Sequence, residues 1–180
     1  RRLTFLLEKR QLLPPEHLGF RPKKGTVHAL QLLISSVRSA WAQGLKVSAV
    51  FLDFKGAYDR VPHHEVLNRL KELHLPHYIA NWVASFLSDR EGRISINNKL
   101  GDAFKIFLGV PQGSPISPIL FLVFTSELIH IILRHGGRCS AFADDVTAWM
   151  SARTLDEATT LLQALIRNIE AWTVRRHQTL

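Results

Sequence analysis

The sequence predicts a single domain of the α+β class. Its 180 residues suit one domain with a substantial core, because 46% of them are hydrophobic. Segments with helical periodicity and segments typical of strands follow one another without regular β-α-β alternation, which favours α+β over a parallel sheet. The same composition excludes a disordered tail and a collagen-like repeat.

Proline, threonine and glycine set the ends of the first two predicted helices. Residues 2–11 suit a short helix, which Pro14-Pro15 stops. Thr26 can cap the second helix, and Gly44 suits its end. The apolar positions of this second helix recur at helical spacing; they are Val27, Leu30, Leu33, Ile34, Val37 and Trp41.

A strand and two helices come next. Residues 46–54 are almost continuously apolar, which predicts a buried strand. Pro62 opens one helix and Pro76 precedes another. The second of these carries an apolar face formed by Ile79, Trp82, Val83 and Phe86.

A hairpin and a core helix follow. Residues 93–97 alternate between polar and apolar, residues 98–101 suit a turn, and residues 103–108 return as a strand. Pro118 starts an apolar helix to about residue 133. Its longest apolar run, residues 119–124, is too short to span a membrane and predicts a core helix.

A second hairpin and a last helix end the chain. Short strands at 139–143 and 146–150 flank a predicted turn at Asp144-Asp145. The capping box in residues 154–157 starts a helix. Its inward positions are Leu155, Ala158, Leu162, Leu165, Ile169 and Trp172.

Cysteine usage and processing signals restrict the class of protein. The single cysteine, Cys139, excludes a disulfide framework and a zinc site built from several cysteines. The sequence contains no Asn-x-Ser/Thr sequon and no signal-peptide pattern, so we expect an intracellular location, with nucleus and cytoplasm both open. Because the chain begins with Arg1 rather than Met, we expect a piece of a longer polypeptide.

The net charge of +8 is concentrated near the N-terminus. Residues 1–46 hold nine Lys and Arg against two Asp and Glu, whereas residues 47–180 hold fourteen against thirteen. This basic segment has two interpretations: an ordinary solvated surface, or a wall that contacts phosphates.

Three carboxylates stand at positions typical of a metal site. Asp53 ends an apolar strand, and Asp144 and Asp145 lie at a hairpin tip. Adjacent carboxylates repel each other, a divalent cation relieves that repulsion, and hard oxygen ligands suit Mg²⁺. If the two strands are neighbours, the three side chains could hold two metals about 3.5–4 Å apart, as in phosphoryl transfer. The alternative is a strand-end cap and a solvated turn.

A loop between these carboxylates has ligand-binding chemistry. Residues 109–118 contain three prolines and two glycines, which prevent regular structure until the helix begins. Glycine lets the backbone approach a ligand closely, and the Gln112 amide both donates and accepts. The alternative is an ordinary strand-to-helix loop.

Three ordered segments resemble motifs A, B and C of reverse transcriptases. They are Phe51-Leu-Asp-Phe-Lys-Gly-Ala-Tyr-Asp59, the loop Gly109 to Pro118, and Ala141-Phe-Ala-Asp-Asp145. Three further features resemble the non-LTR (LINE-type) retrotransposon branch: Leu18-Gly-Phe-Arg21, Pro111-Gln-Gly-Ser-Pro115, and Ala143 within the Phe-Ala-Asp-Asp string.

This resemblance implies a right-hand polymerase fold. The palm would be an antiparallel sheet with helices packed on one face, accompanied by part of the fingers. Residues 1–180 would form one truncated reverse transcriptase domain. Its parts would be the fingers portion (1–46), palm motif A (47–60), the helices and hairpin between motifs A and B (61–108), and palm motifs B and C with the start of motif D (109–180).

The resemblance also assigns catalytic residues. Asp53, Asp144 and Asp145 would be the catalytic carboxylates. They would bind two Mg²⁺ ions, or Mn²⁺, with the carbonyl of Phe54 as an extra ligand.

Other residues would bind the substrate. Tyr58 would lie under the incoming sugar, where a 2′-hydroxyl would clash. Ala57 would lie beside the triphosphate, and Gln112 and Gly113 would contact the incoming nucleotide or the template. Arg21 would face the template or phosphates.

The implied activity is RNA-directed DNA polymerisation. A primer 3′-hydroxyl would attack the α-phosphate of a dNTP paired to an RNA template. The partners would be RNA template, DNA primer and dNTP, with no membrane and no disulfide partner. We expect the isolated fragment to be inactive, because the thumb and part of the fingers would lie outside it. Two alternatives stay open: a catalytically dead nucleic-acid-binding remnant, and an RNA-templated RNA polymerase.

Overall fold

The computed structural model describes residues 2–179. Two residues lie outside the described range. They are Arg1, which belongs to the predicted basic segment, and Leu180, the last residue of the segment predicted to contain the start of motif D. The elements in order are α1 (Arg2–Lys9), α2 (Thr26–Ala42), β1 (Lys46–Leu52), α3 (His63–Glu72), α4 (His77–Leu87), β2 (Glu91–Ile96), β3 (Lys99–Lys105), α5 (Ser117–Arg134), β4 (Arg138–Phe142), β5 (Asp145–Ala152) and α6 (Leu155–Arg175). Every predicted helix and strand is present, with ends that differ by a few residues.

The central sheet brings distant parts of the chain together. Its three strands run in the order β1-β5-β4, and both pairings are antiparallel. Leu52 and Ala141 both lie opposite Val146, so these three side chains share one face of the sheet. All three are buried in the core cluster with residues of α5 and α6. The main helical layer therefore covers this face.

Helix α5 forms the centre of the core. Nearly all of its side chains from Ser117 to Ile132 are buried. Within residues 2–179 it is the one helix long and apolar enough to cross a membrane by length and composition, and 72% of it is buried in the protein. The predicted core helix is therefore confirmed.

Helix α2 lies against the opposite face of the sheet, and most of its large apolar residues are exposed. Ser140 points away from the core face, and its Oγ donates a hydrogen bond to the Ala29 carbonyl at 3.3 Å. The buried residues of α2 are the small Ser36 and Ala40. The larger apolar side chains Val27, Leu30, Ile34 and Trp41 are exposed.

Several burial predictions are wrong, and one of them is Leu155, which was predicted to point inward from α6 but is 57% exposed. Strand β1 is not a buried strand: its side chains alternate in burial, and Phe51 is 74% exposed. The reason is that β1 is an edge strand, and α2 covers only part of the face on which Phe51 lies. The apolar face of α4 is also displaced, because Trp82 is exposed and stacks on Phe86 at the surface, with ring centroids 5.5 Å apart.

A half-buried ionic network ties α3, α5 and the end of α6 together. Arg176 donates two hydrogen bonds of 2.9 Å to the Glu127 carboxylate and also pairs with Glu65. The indole N–H of Trp172 donates to Glu127 at 2.8 Å. Burial alone would raise the pKa of Glu127, but the bonds from Arg176 and Trp172 hold that pKa below its usual value.

We expect Arg176→Met to lower the free energy of unfolding by about 2 kcal/mol, because it leaves partly buried carboxylates without their cation. Since the pKa of Glu127 is lowered by folding, its contribution is complete at pH 7 and is lost as the pH falls below about 4. Urea denaturation at pH 7 and at lower pH measures both effects. Arg167→Met, which removes an exposed arginine from the same helix, is the control. Equal losses from the two variants would contradict the prediction.

Candidate active site

Three segments of the chain converge on an open cavity of about 600 Å³. They are the turn after β1 (residues 53–60, the β1 turn), the loop before α5 (residues 109–118, the glycine loop) and the β4–β5 hairpin. The predicted site residues that line the cavity are Phe54, Ala57, Tyr58, Gln112, Gly113 and Asp144. The sheet therefore gathers most of the predicted site from positions up to 90 residues apart.

The strand register places the three predicted carboxylates at one edge of the sheet. Leu52–Val146 is the last pair of β1 and β5, so Asp53, which follows Leu52, and Asp145, which precedes Val146, both adjoin that pair. Asp144 lies in the adjoining turn and is half-buried, whereas Asp53 and Asp145 are exposed. The condition that the sequence analysis set for a joint site, neighbouring strands, is met.

The turn of this hairpin differs from the predicted one. Phe142 pairs with Asp145, so the two turn residues are Ala143 and Asp144, and Asp145 is the first residue of β5. Ala143 adopts a left-handed φ of 58°. The tight turn directs Asp144 towards the cavity and leaves Asp145 in the strand.

The donor set fits a hard divalent cation by its chemistry and placement. Across residues 2–179, no three His, Cys, Asp or Glu side chains are grouped closely enough to hold an ion by themselves. Mg²⁺ usually takes one or two carboxylates from protein and completes its shell with water and substrate phosphates. Carboxylates at one sheet edge, beside an open cavity, therefore suit a metal that is bound together with a phosphate-bearing substrate.

The tyrosine of the β1 turn forms a rigid wall of the cavity. The Tyr58 ring stacks on Phe121 of α5, with ring centroids 4.8 Å apart. Its hydroxyl is buried and has no hydrogen-bond partner among the described residues. Burial, and then the charge of Asp144, raise the pKa of Tyr58 to about 12, so the phenol stays neutral.

The glycine loop and the β1 turn are held together by backbone hydrogen bonds. The amides of Gly109 and Val110 donate to the carbonyls of Val61 and Tyr58 at 2.9 and 2.8 Å. Gly109 has a φ of 82°, and a Cβ there would lie 2.7 Å from the Asp59 carbonyl oxygen. These two segments therefore occupy a fixed position relative to each other.

Gln112 and Gly113 are the parts of the loop that face the cavity. The Gln112 Nε2 donates to Asp59 Oδ1 at 2.9 Å, which orients the amide. A Cβ on Gly113 would meet nothing within 4 Å, so its backbone is open to a ligand. Both residues, the predicted contacts to nucleotide or template, therefore line the cavity.

Arg21 requires a correction. Its guanidinium donates two hydrogen bonds of 2.8 Å to the Glu8 carboxylate and two more to the carbonyls of Pro14 and His17. The side chain is only 11% exposed and does not line the cavity. Arg21 therefore joins the segment before α2 to α1, and four of its five N–H donors are engaged within the protein rather than with template or phosphate. The sequence could not show this, because the partner Glu8 is 13 residues away and in another element.

The structure adds two site residues that the sequence analysis did not single out, Gly19 and Phe20. Both belong to residues 16–21, which we call the brace. A Cβ on Gly19 would lie 2.2 Å from the Ala143 backbone nitrogen. Phe20 lines the cavity. The string Leu18-Gly-Phe-Arg21 was one of the features that resemble non-LTR retrotransposon enzymes. Within it, only Arg21 was predicted to contact the substrate.

The brace lies along β4. The Leu18 amide donates to the Ala141 carbonyl at 2.7 Å, and the Ala141 amide donates to the Glu16 carbonyl at 2.9 Å. His17 is fully buried beside this contact, and burial lowers its pKa to about 3, so it is neutral. The brace therefore positions the hairpin that carries Asp144.

The last described residues contact the β1 turn. The Lys55 amide donates to the Thr179 carbonyl at 2.9 Å, and the Arg60 guanidinium donates to the Thr179 hydroxyl at 2.8 Å. Gln178 Nε2 donates to the Arg60 carbonyl at 2.9 Å. Residues that follow α6 thus help to shape the turn after Asp53.

Comparison with known proteins identifies similar sequences over the whole chain. Residues 1–178 match the family described as reverse transcriptase (RNA-dependent DNA polymerase). The chain is 30% identical to the probable RNA-directed DNA polymerase from transposon BS of Drosophila melanogaster over 180 residues, which cover 97% of this chain and 20% of that protein. It is 28% identical to the RNA-directed DNA polymerase from mobile element jockey of the same organism over 177 residues, which cover 95% of this chain and 19% of that protein.

A solved structure agrees with the predicted architecture. The chain superposes on telomerase from Candida albicans, solved with the TWJ fragment of telomeric RNA, with a TM-score of 0.71 at 14% identity. The match covers 96% of this chain and 32% of that chain. This likeness confirms the fold class, a polymerase palm with part of the fingers. The chain spans about a fifth of the length of the curated relatives it matches.

Proposed function

Because this chain belongs to the reverse transcriptase (RNA-dependent DNA polymerase) family, with transposon and mobile-element polymerases among its relatives, we propose that it carries the RNA-directed DNA polymerase site of a non-LTR retrotransposon. The observation that carries the proposal is the convergence of the β1 turn, the glycine loop and Asp144 on one cavity beside two further carboxylates. Residues 1–46 would belong to the fingers, residues 47–60 and 109–180 would carry the palm motifs, and residues 61–108 would form the helices and hairpin between motifs A and B.

The proposed reaction is transfer of a nucleotide from dNTP to a primer. The 3′-hydroxyl oxygen of the primer attacks the α-phosphorus of the dNTP, the new P–O bond forms, and pyrophosphate leaves as the bond to the β-phosphate breaks. The hydroxyl proton passes to a water molecule of the open cavity. The dNTP is chosen by pairing with an RNA template, not by side chains that distinguish one base from another.

Each proposed substrate contact follows from the position of its residue. Asp53, Asp144 and Asp145 would hold two Mg²⁺ ions, with the Phe54 carbonyl as an extra ligand; bound there, the metals would activate the primer hydroxyl and neutralise the leaving pyrophosphate. Ala57 is buried at the cavity wall, so its small side chain leaves room for the triphosphate. Gln112 and Gly113 offer an oriented amide and an open backbone to the nucleotide or template.

The positive charge of the segment before β1 suits partners that carry phosphate groups. Exposed Lys23, Lys24 and Arg38 stand in the basic segment that precedes β1, where phosphates of template or nucleotide would be attracted. The proposed partners, which follow from the family and which this charge suits, are an RNA template, a DNA primer and dNTP. The proposed location is intracellular.

Sugar selection tests the proposal. We expect the full-length polypeptide that carries this chain to extend a DNA primer on an RNA template with dNTPs and to use rNTPs poorly. Tyr58→Ala should raise the use of rNTPs relative to dNTPs by about 10- to 100-fold, because it removes the ring that a 2′-hydroxyl would meet. Tyr58→Phe is the matched control: it keeps the ring stacked on Phe121 and removes only a hydroxyl without a protein partner.

The outcomes separate the proposed function from its alternatives. Equal use of rNTPs and dNTPs by the natural sequence would favour an RNA-templated RNA polymerase. Template binding without any extension would favour a catalytically dead remnant. If Tyr58→Ala extends the primer normally and still discriminates against rNTPs, the role assigned to Tyr58 is contradicted. The proposed polymerase function would not be affected by that result.

A further inference from the structure

Phe20 has an unusual backbone conformation. Its φ is 55°, in the left-handed region that residues with a bulky side chain rarely adopt. Such a conformation persists only where the surrounding structure imposes it, and it occurs most often at functional sites. The neighbours of Phe20 must therefore be held strongly.

The residues on both sides of Phe20 are fixed. Leu18 is buried and bonds through its amide to Ala141. Gly19 packs directly on the backbone of Ala143, where no side chain would fit. Arg21 is tied by four hydrogen bonds to Glu8, Pro14 and His17. This arrangement holds the Phe20 backbone in place between two anchors.

The Phe20 ring is not needed to fill the core. It is 48% exposed and lies outside the main cluster of buried apolar residues. It lines the cavity with Tyr58, Gln112 and Asp144. Leaving this aromatic side chain half exposed beside an open cavity gives up part of the free energy that full burial would supply. A flat apolar surface in that position is suited to stack against another flat, conjugated group.

We propose that Phe20 is a nucleotide-positioning residue that stacks on the base of the incoming deoxynucleotide. The inference rests on the proposed function, since the cavity that Phe20 lines is the one assigned to the nucleotide. A base stacked on an aromatic ring is held without regard to its identity, because every base has a π-face. Phe20 would thus position any of the four nucleotides while template pairing selects among them.

Steady-state primer extension by the full-length polypeptide tests the proposal. Phe20→Leu should raise the KM for dNTP about tenfold and change kcat by less than a factor of two, because stacking is lost and the reacting groups are untouched. Phe20→Trp should keep the KM near that of the natural sequence. Phe107→Leu, which removes a phenylalanine exposed elsewhere, should have no effect. Incorporation of the nucleoside triphosphate of 5-nitroindole opposite an abasic template site, which depends on stacking alone, should fall more in Phe20→Leu than in Phe107→Leu.

Phe20→Gly separates function from folding. Glycine adopts a positive φ without strain, so this variant should melt at the same temperature as the natural sequence or higher, and still show the raised KM. An unchanged KM for dNTP in Phe20→Leu would overturn the proposal. A raised KM for the template–primer alone would also overturn it, since the ring would then contact the template. Absence of extension by the natural sequence would instead refute the proposed function.

Discussion

Asp144→Asn should lower the rate of primer extension by about 10³-fold or more and leave the fold intact. Asp144 is the carboxylate that the hairpin turn directs into the cavity, beside Tyr58 and the glycine loop. Asparagine has nearly the same shape but no negative charge, so it would neither hold a divalent cation as firmly nor balance the charge that develops at the phosphate.

The stability of Asp144→Asn should equal or exceed that of the natural sequence. The substitution removes repulsion between adjacent carboxylates at 144 and 145, and asparagine is well tolerated in tight turns. A large loss of activity with an unchanged melting temperature would therefore report on chemistry rather than folding.

Single-turnover extension on an RNA template, with the full-length polypeptide and saturating dNTP, measures the effect. Asp102→Asn is the matched control, because it removes an exposed carboxylate from strand β3, outside the cavity lining. Activity of Asp144→Asn within tenfold of the control would contradict the assignment of Asp144 as a metal ligand.

The helices and strands could be predicted because caps, turn residues and apolar periodicity are local features of the sequence, whereas the convergence of the carboxylates was predicted only on the condition that their strands are neighbours. Thr154 accepts a hydrogen bond from the Glu157 amide, as the capping box requires. Asp53 follows the end of β1, and Asp145 begins β5. Because β1 and β5 pair antiparallel, these two residues come to the same end of the sheet. Few strand arrangements are compatible with the rules for chain connections, which made this pairing a reasonable expectation.

Burial was harder to predict, because amphipathic spacing indicates a face but not what covers it. The large apolar residues of α2 were apparent from the sequence, yet the helix packs through Ser36 and Ala40. Phe51 belongs to a continuous apolar run but lies on an edge strand. In both cases the outcome depends on which neighbour is near in space, and one sequence does not contain that information.

The brace was missed for the same reason. The family resemblance implied that Arg21 faces template or phosphates, but its partner in this structure is a carboxylate in α1. Gly19 shows no local need for glycine, since its requirement arises only where the hairpin passes over it. Close approach between two distant backbones leaves no periodic pattern in the sequence.

Gly19→Ala should lower kcat by about 10²-fold. The added methyl carbon would lie 2.2 Å from the Ala143 nitrogen and 3.1 Å from two further backbone carbons, so the hairpin or the brace must move. The displaced atoms are backbone and cannot turn aside as a flexible side chain would. A shift of about 1 Å in a catalytic group is enough to cost two orders of magnitude in rate.

Gly25→Ala is the control for this substitution. It lies six residues further along the chain, and its added methyl would meet nothing closer than the His28 ring nitrogen at 4.0 Å. Both variants replace glycine by alanine between α1 and α2, so a general effect on the unfolded chain is shared. The ratio of their kcat values isolates the contact with the hairpin.

Hydrogen exchange separates displacement of the hairpin from general unfolding. If the methyl of Gly19→Ala pushes the brace away from β4, the amides of Leu18 and Ala141 lose their partners and exchange faster. Amides at the centre of α5 should keep their protection, since that helix is buried on nearly all sides. The contrary outcome is that the Leu18 and Ala141 amides of Gly19→Ala are protected as well as those of Gly25→Ala and that kcat is normal. That outcome would show that the hairpin tolerates the added methyl group. In that case the brace would not position Asp144.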